Sequence, residues 1–105
     1  MLIFRIEPPC LFGSRDPGTG QTYFPPRQYA ADGSLRQCER LELSSEGTLY
    51  TWTEFSGEGY GQVDLPEGVR VQTRLAAGQH EIGARYRLVI FVDAVGKESY
   101  RFGRA

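Results

Sequence analysis

The sequence predicts an all-β protein in which short strands curve toward a small barrel behind an irregular N-terminal arm. Three observations predict this. Between Glu46 and Leu75 three runs rich in β-branched and aromatic residues (EGTLYTWTEF, SGEGYGQVDL and PEGVRVQTRL) alternate with glycine-bearing breaks, the pattern of an antiparallel meander. Val69, Val71, Thr73 and Leu75 alternate with Arg70, Gln72 and Arg74, so a side-chain period of two sends the first set to a core and the second to water. No stretch of the chain carries a helical period.

The chain of 105 residues has room for one modest core. Its N-terminal run, MLIFRIEPPCLF, begins as a short edge strand and is stopped by Pro8-Pro9, which cannot donate to a ladder. It is expected to lie across the surface. From Gly13 to Ser34 the breakers Asp16-Pro17, Pro25-Pro26 and Asp32-Gly33 punctuate a loop-like stretch, whose Tyr23, Phe24 and Tyr29 must dock on the barrel or on another protein. Residues 36–43 lead into a turn at Ser44–Gly47, and the three core runs follow. In the turn between the second and third, Leu65-Pro66-Glu67-Gly68-Val69, Pro66 presets the first corner of a type I turn and Gly68 supplies a positive φ. Gly59 and Gly61 suggest a bulge beside Tyr60. After a loop at 76–80, Tyr86–Val92 is apolar on both faces and so central or covered, and Glu98–Phe102 forms a last strand.

Composition narrows the function classes. With 12 basic and 13 acidic residues the net charge is −1, which lacks the overall field of a protein built to hold a nucleic-acid backbone. Cys10 and Cys38 form no C-x-x-C pair and are expected as reduced thiols of a cytoplasmic protein. The uninterrupted apolar run at the N-terminus, Met1–Phe4, is too short for a signal-peptide core or a membrane span.

No catalytic set is apparent. His80 is expected to be a solvated loop residue, neither cysteine has a reactive signature around it, and no phosphate loop, nucleophile elbow or metal cluster is present. Asp64 and Glu67 flank a turn, where carboxylates usually cap or face water. Arg70 and Arg74 lie on an outward face, and Trp52 reads as a core or interface anchor. The residues alone therefore favour a binding or accessory domain.

One combination is more specific. Phe24-Pro25-Pro26-Arg27 precedes Gly47-Thr48-Leu49-Tyr50 at a fixed distance, and Val63-Asp64-Leu65 with Glu67-Gly68-Val69-Arg70 follows. This order resembles the DUF35 family, a rubredoxin-like zinc ribbon followed by an OB-fold barrel, over residues 13–102. The resemblance implies a five-stranded OB-fold-like barrel over residues 38–105, behind a degenerate ribbon and arm over residues 1–37. In the family two C-x2-C knuckles flank the F-P-P-R segment and hold zinc. Here those positions hold Asp16, Thr19, Ala30 and Gly33, so no zinc is expected, and packing of Tyr23, Phe24, Tyr29 and the prolines is expected to hold the ribbon instead.

DUF35 proteins are accessory subunits of thiolase-like enzymes and of other enzymes acting on acyl-CoA thioesters. The resemblance therefore implies a non-catalytic subunit that completes such an assembly and lies near CoA. Tyr23, Phe24, Pro25, Pro26 and Arg27, with Trp52, Arg70 and Arg74, are its expected partner- or CoA-binding residues, and self-association is a further option. The alternative is an OB-fold binder of single-stranded nucleic acid, stacking bases on Tyr50, Trp52 and Tyr60 and holding phosphates with Arg70, Arg74 and Arg87.

Overall fold

A computed structural model describes residues 3–105. Nine strands make up the described fold: β1 (Phe4–Arg5), β2 (Cys10–Arg15), β3 (Thr22–Tyr23), β4 (Glu39–Glu42), β5 (Glu46–Phe55), β6 (Glu58–Asp64), β7 (Arg70–Leu75), β8 (Arg85–Val92) and β9 (Glu98–Arg104). No helix occurs among the described residues. The last five strands close a barrel in the order β5-β6-β7-β9-β8, which is the expected OB-fold-like body. The first four form a separate small sheet in which β2 pairs with β1, β3 and β4.

The N-terminal stretch departs from expectation. It does not lie across the surface. The chain reverses around Pro8-Pro9, and β1 pairs antiparallel with β2 through Phe4↔Leu11 and Arg5↔Cys10. Cys10 through Ser14 are buried, and β2 is the central strand of its sheet rather than part of a loop. The prolines sit in the turn, where no ladder donor is needed. Leu11 and Leu43 join the same apolar cluster as Leu49, Val63, Val71, Tyr86, Leu88 and Phe102 of the barrel. Full burial of a side chain of this size contributes about 1.5–3 kcal/mol, so two such residues fasten the small sheet to the barrel. Strand β4 belongs to that small sheet, pairing with β2 from Phe12↔Glu42 to Arg15↔Glu39.

Within the barrel the alternation of β7 holds: Val71, Thr73 and Leu75 are buried while Arg70, Gln72 and Arg74 are exposed. The turn before it forms as its residues dictate. Gly68 N–H donates to the Leu65 carbonyl at 3.0 Å, Leu65 N–H donates to the Val69 carbonyl at 2.9 Å, and Gly68 has φ of 91°. This closure fixes the β6–β7 register as Asp64↔Arg70, Gln62↔Gln72 and Tyr60↔Arg74.

The bulge lies elsewhere than Tyr60. It falls in β5, where Leu49 pairs with Val63 and Thr51 with Gln62, leaving Tyr50 as the extra residue. Gly61 serves close packing instead, since a Cβ there would stand 2.9 Å from both the Leu75 side chain and the Thr51 carbonyl. In β8 only Tyr86 and Leu88 are buried, and Val92 is 64% exposed in the distal part of the strand, which pairs with β9 but not with β5.

Candidate functional site

The segment Tyr23–Arg27 is held to its own protein at several points. The buried hydroxyl of Ser14 accepts the Arg27 N–H at 2.6 Å and donates to the Arg27 carbonyl at 2.8 Å. Phe24 is half-buried and meets Tyr100 edge-on at 6.4 Å between ring centroids. The Arg27 guanidinium lies 5.3 Å from the centre of the Tyr23 ring, and its Nε donates to the Tyr29 carbonyl. Tyr29 itself is 41% exposed and does not pin the segment through its ring. Pro25 and the Arg27 side chain face outward.

This segment forms one wall of a groove. A depression of about 480 Å³ lies between Tyr23–Arg27 and Gly68–Arg70. A second, sharing Phe24, Pro25 and Arg70, continues over Gln62, Gln72 and Tyr100. A third, of about 490 Å³, shares Gln62 and Gln72 and extends to Thr51, Thr53, Tyr60 and Arg74. The shared residues make the three depressions continuous. The floor is the outward row of β5, β6 and β7: directly paired residues share a face, so Thr51, Gln62 and Gln72 form one row and Thr53, Tyr60 and Arg74 the next. Gln62 and Gln72 were not anticipated as lining residues. The Leu65–Val69 turn and the period of two could have placed them, because that turn alone sets which outward residues of β6 and β7 stand opposite each other.

Of the anticipated barrel residues, Trp52 and Arg74 both line the third depression, and Arg70 lines the first two. Arg70 lies in the groove, but Asp64 takes its fork through Nε–Oδ1 at 2.6 Å and Nη2–Oδ2 at 3.1 Å, and its guanidinium carbon rests 3.4 Å from the centre of the Tyr50 ring. That pairing holds the Asp64 carboxyl below the usual carboxylate range. Arg74 is exposed at the far end of the groove. Trp52 pairs with Gly61, and Gly61 with Thr73, so its side chain belongs to the inward row, opposite Arg74. Its ring meets His80 at 5.1 Å. Within the bases-and-phosphates set, Trp52 is therefore on a different face from Tyr60 and Arg74, and Tyr50 and Arg70 are already engaged with each other and with Asp64.

His80 is not simply a solvated loop residue. Its Nδ1 lies 2.8 Å from the hydroxyl of the fully buried Tyr86, and it fills the barrel end beneath Trp52 and Gly59. Tyr86 thereby satisfies a phenol that would otherwise be stranded in the core. Cys10 and Cys38 are free, and burial together with the nearby Glu42 carboxylate pushes the Cys10 thiol up, away from the thiolate form.

The ribbon positions do not fit a zinc ion. Asp16, Thr19, Ala30 and Gly33 supply one carboxylate and no thiolate or imidazole, and no group of three potential ligands gathers among the described residues. Asp16 is instead fully engaged within the protein. Arg36 donates Nε to Oδ1 and Nη2 to Oδ2, both at 2.8 Å, Gly18 N–H donates to Oδ1 at 2.9 Å, and the Thr19 hydroxyl donates to Oδ2 at 2.9 Å. Arg36 Nη2 also reaches Asp32 at 2.8 Å. An ion-pair cluster, together with aromatic packing, ties this N-terminal segment together.

No protein-family model and no curated protein matches this chain. Among solved structures, the chain is similar to one of the Ltp2-ChsH2(DUF35) aldolase, with a TM-score of 0.75 at 18% identity, covering 90% of this chain and 84% of that one. The fold is DUF35-like over nearly its whole length.

Proposed function

We propose that the protein is a cytoplasmic, non-catalytic accessory subunit of a thiolase-like or other acyl-CoA-processing enzyme. It helps to complete that assembly and presents its groove toward the enzyme and its CoA thioester. The observation that carries this reading is the fold shared with a chain of the Ltp2-ChsH2(DUF35) aldolase. The site is consistent with a binding role. The groove is long and open, its wall is braced by Ser14 and Tyr100, and its floor offers the Gln62 and Gln72 amides and the Arg74 guanidinium. Pre-ordered walls reduce the entropy lost when a partner docks.

Affinity purification of the tagged chain from its native cells, with mass spectrometry of what accompanies it, tests the proposal. A thiolase-like or acyl-CoA enzyme should co-purify near one-to-one. Gln72→Glu combined with Arg74→Glu should reduce that yield at least tenfold, while the isolated protein keeps its Tm, because both side chains are exposed. Recovery of the chain alone, or with nucleic acid in place of an enzyme, would overturn it.

A further inference from the structure

The distal half of β5 is an unpaired sheet edge. Its pairing with β8 covers only Glu46, Gly47 and Thr48, and Leu49 makes the last bonds on that side, donating to the Ala84 carbonyl at 3.0 Å and accepting from Gly83 N–H at 2.8 Å. Beyond it, Tyr50 through Phe55 are all exposed, with Phe55 at 71%. This segment is half of a hairpin closed by Ser56 (φ 54°) and Gly57 (φ 79°), a two-residue turn with both central residues left-handed. Such a turn closes on a hydrogen-bonded pair, here Phe55↔Glu58, so Thr53↔Tyr60 is hydrogen-bonded as well. The N–H and C=O groups of the alternate residues Trp52 and Glu54 then point away from β6, toward the open edge. They meet no partner among the described residues.

Natural sheets blunt such an edge with lysine, proline or a covering element. The run Thr51-Trp52-Thr53-Glu54-Phe55 contains neither lysine nor proline, and its one charge is Glu54. The bulge at Tyr50 marks where regular pairing would begin.

We infer that this edge is a self-association site, at which β5 of a second copy pairs antiparallel across a two-fold axis through Thr53. The register follows from the free groups. Only Trp52 and Glu54 offer edge-facing peptides between the bulge and the turn, and both are used only if Trp52 of each copy pairs with Glu54 of the other. Thr53 then faces Thr53, and Thr51 faces Phe55. These are the β-branched and aromatic pairs that cross-strand packing favours, and no glutamate faces its own copy. The result is a continuous four-stranded sheet, β6-β5-β5-β6, across an isologous interface. The inference needs no enzyme partner and stands independently of the proposed function.

Sedimentation velocity of the purified chain over a hundredfold concentration range tests it. A concentration-dependent monomer–dimer equilibrium is expected. Thr53→Lys sets two charges against each other at the axis and should leave only monomer. Glu54→Pro deletes an edge-facing N–H while sparing the β6 ladder, and should do the same with the barrel intact by circular dichroism. In a Cys38→Ser background, Thr53→Cys should cross-link under mild oxidation and Thr51→Cys should not, because only position 53 faces itself. A wild-type monomer at every concentration, or a dimer unchanged by both edge variants, would overturn the inference.

Discussion

The carboxylate of Asp16, 1% exposed, receives both prongs of the Arg36 guanidinium at 2.8 Å, at a ribbon position where the resembling family places a zinc-binding cysteine. Gly18 makes room for this pair, since a Cβ there would collide with Arg36 Nε. Forked, charge-assisted bonds are among the stronger polar contacts available to a protein, and two further donors complete the carboxylate's shell.

A pH signature follows from this pair. Arg36, with the Gly18 and Thr19 donors, holds the Asp16 carboxyl far below the usual carboxylate range. A depressed pKa means that the unfolded chain binds the proton first as pH falls. The pair's contribution is therefore complete above the unfolded value of about 3.9 and is lost as pH drops through the folded one. Asp16→Asn should lower Tm by about 5–10 °C at pH 7, a typical cost for a disrupted polar network in a domain of this size. The gap from wild type should narrow steadily below about pH 4. Thermal melts of both proteins from pH 7 to pH 2 provide the check, with chelator added in a parallel series that should change nothing. A constant gap across that range would refute the assignment.

The barrel was legible because its signals are local. The Leu65–Val69 turn announces its own geometry, and the alternation in β7 reports two faces directly. The small sheet was not legible for the opposite reason. Strand β2 is buried by partners as distant in sequence as Glu42, so CLFGSR shows the near-continuous burial of a central strand and no alternation. Pro8-Pro9 looked like a terminator and is a turn. The groove was half legible: Phe24 to Arg27 were named from the sequence, whereas Tyr100 joins them only through closure of the barrel. The bulge at Tyr50 had no sequence signal of its own, yet it reverses which residues of β5 face outward beyond it and so sets Trp52 on the inward row.

The His80–Tyr86 contact yields a second prediction. His80→Ala removes the one hydrogen-bond partner of the Tyr86 hydroxyl among the described residues, in a residue with no exposed surface. Stranding a buried hydroxyl costs about 1–3 kcal/mol. Tyr86→Phe removes the hydroxyl itself, so the double variant should be less destabilised than the sum of the two singles. Urea denaturation of the four proteins measures the coupling. Strict additivity would show that the contact contributes nothing.

Phe24 separates structural from docking roles in the arm. Its ring is half-buried against Tyr100 and the barrel core, whereas the Arg27 side chain is exposed and meets the Tyr23 ring and the Tyr29 carbonyl. Truncating a half-buried aromatic removes apolar contact worth about 1–3 kcal/mol. Phe24→Ala should therefore lower the stability of the isolated protein by that amount. Arg27→Ala should shift it by less than about 1 kcal/mol, the scale of an exposed cation–π contact. Urea denaturation of each single variant decides the matter. Wild-type stability in Phe24→Ala would mean that the ring braces nothing and is free to serve a partner. A loss in Phe24→Ala together with an unchanged Arg27→Ala would assign the ring to the wall of the groove, leaving the outward guanidinium as the part of this segment available for recognition.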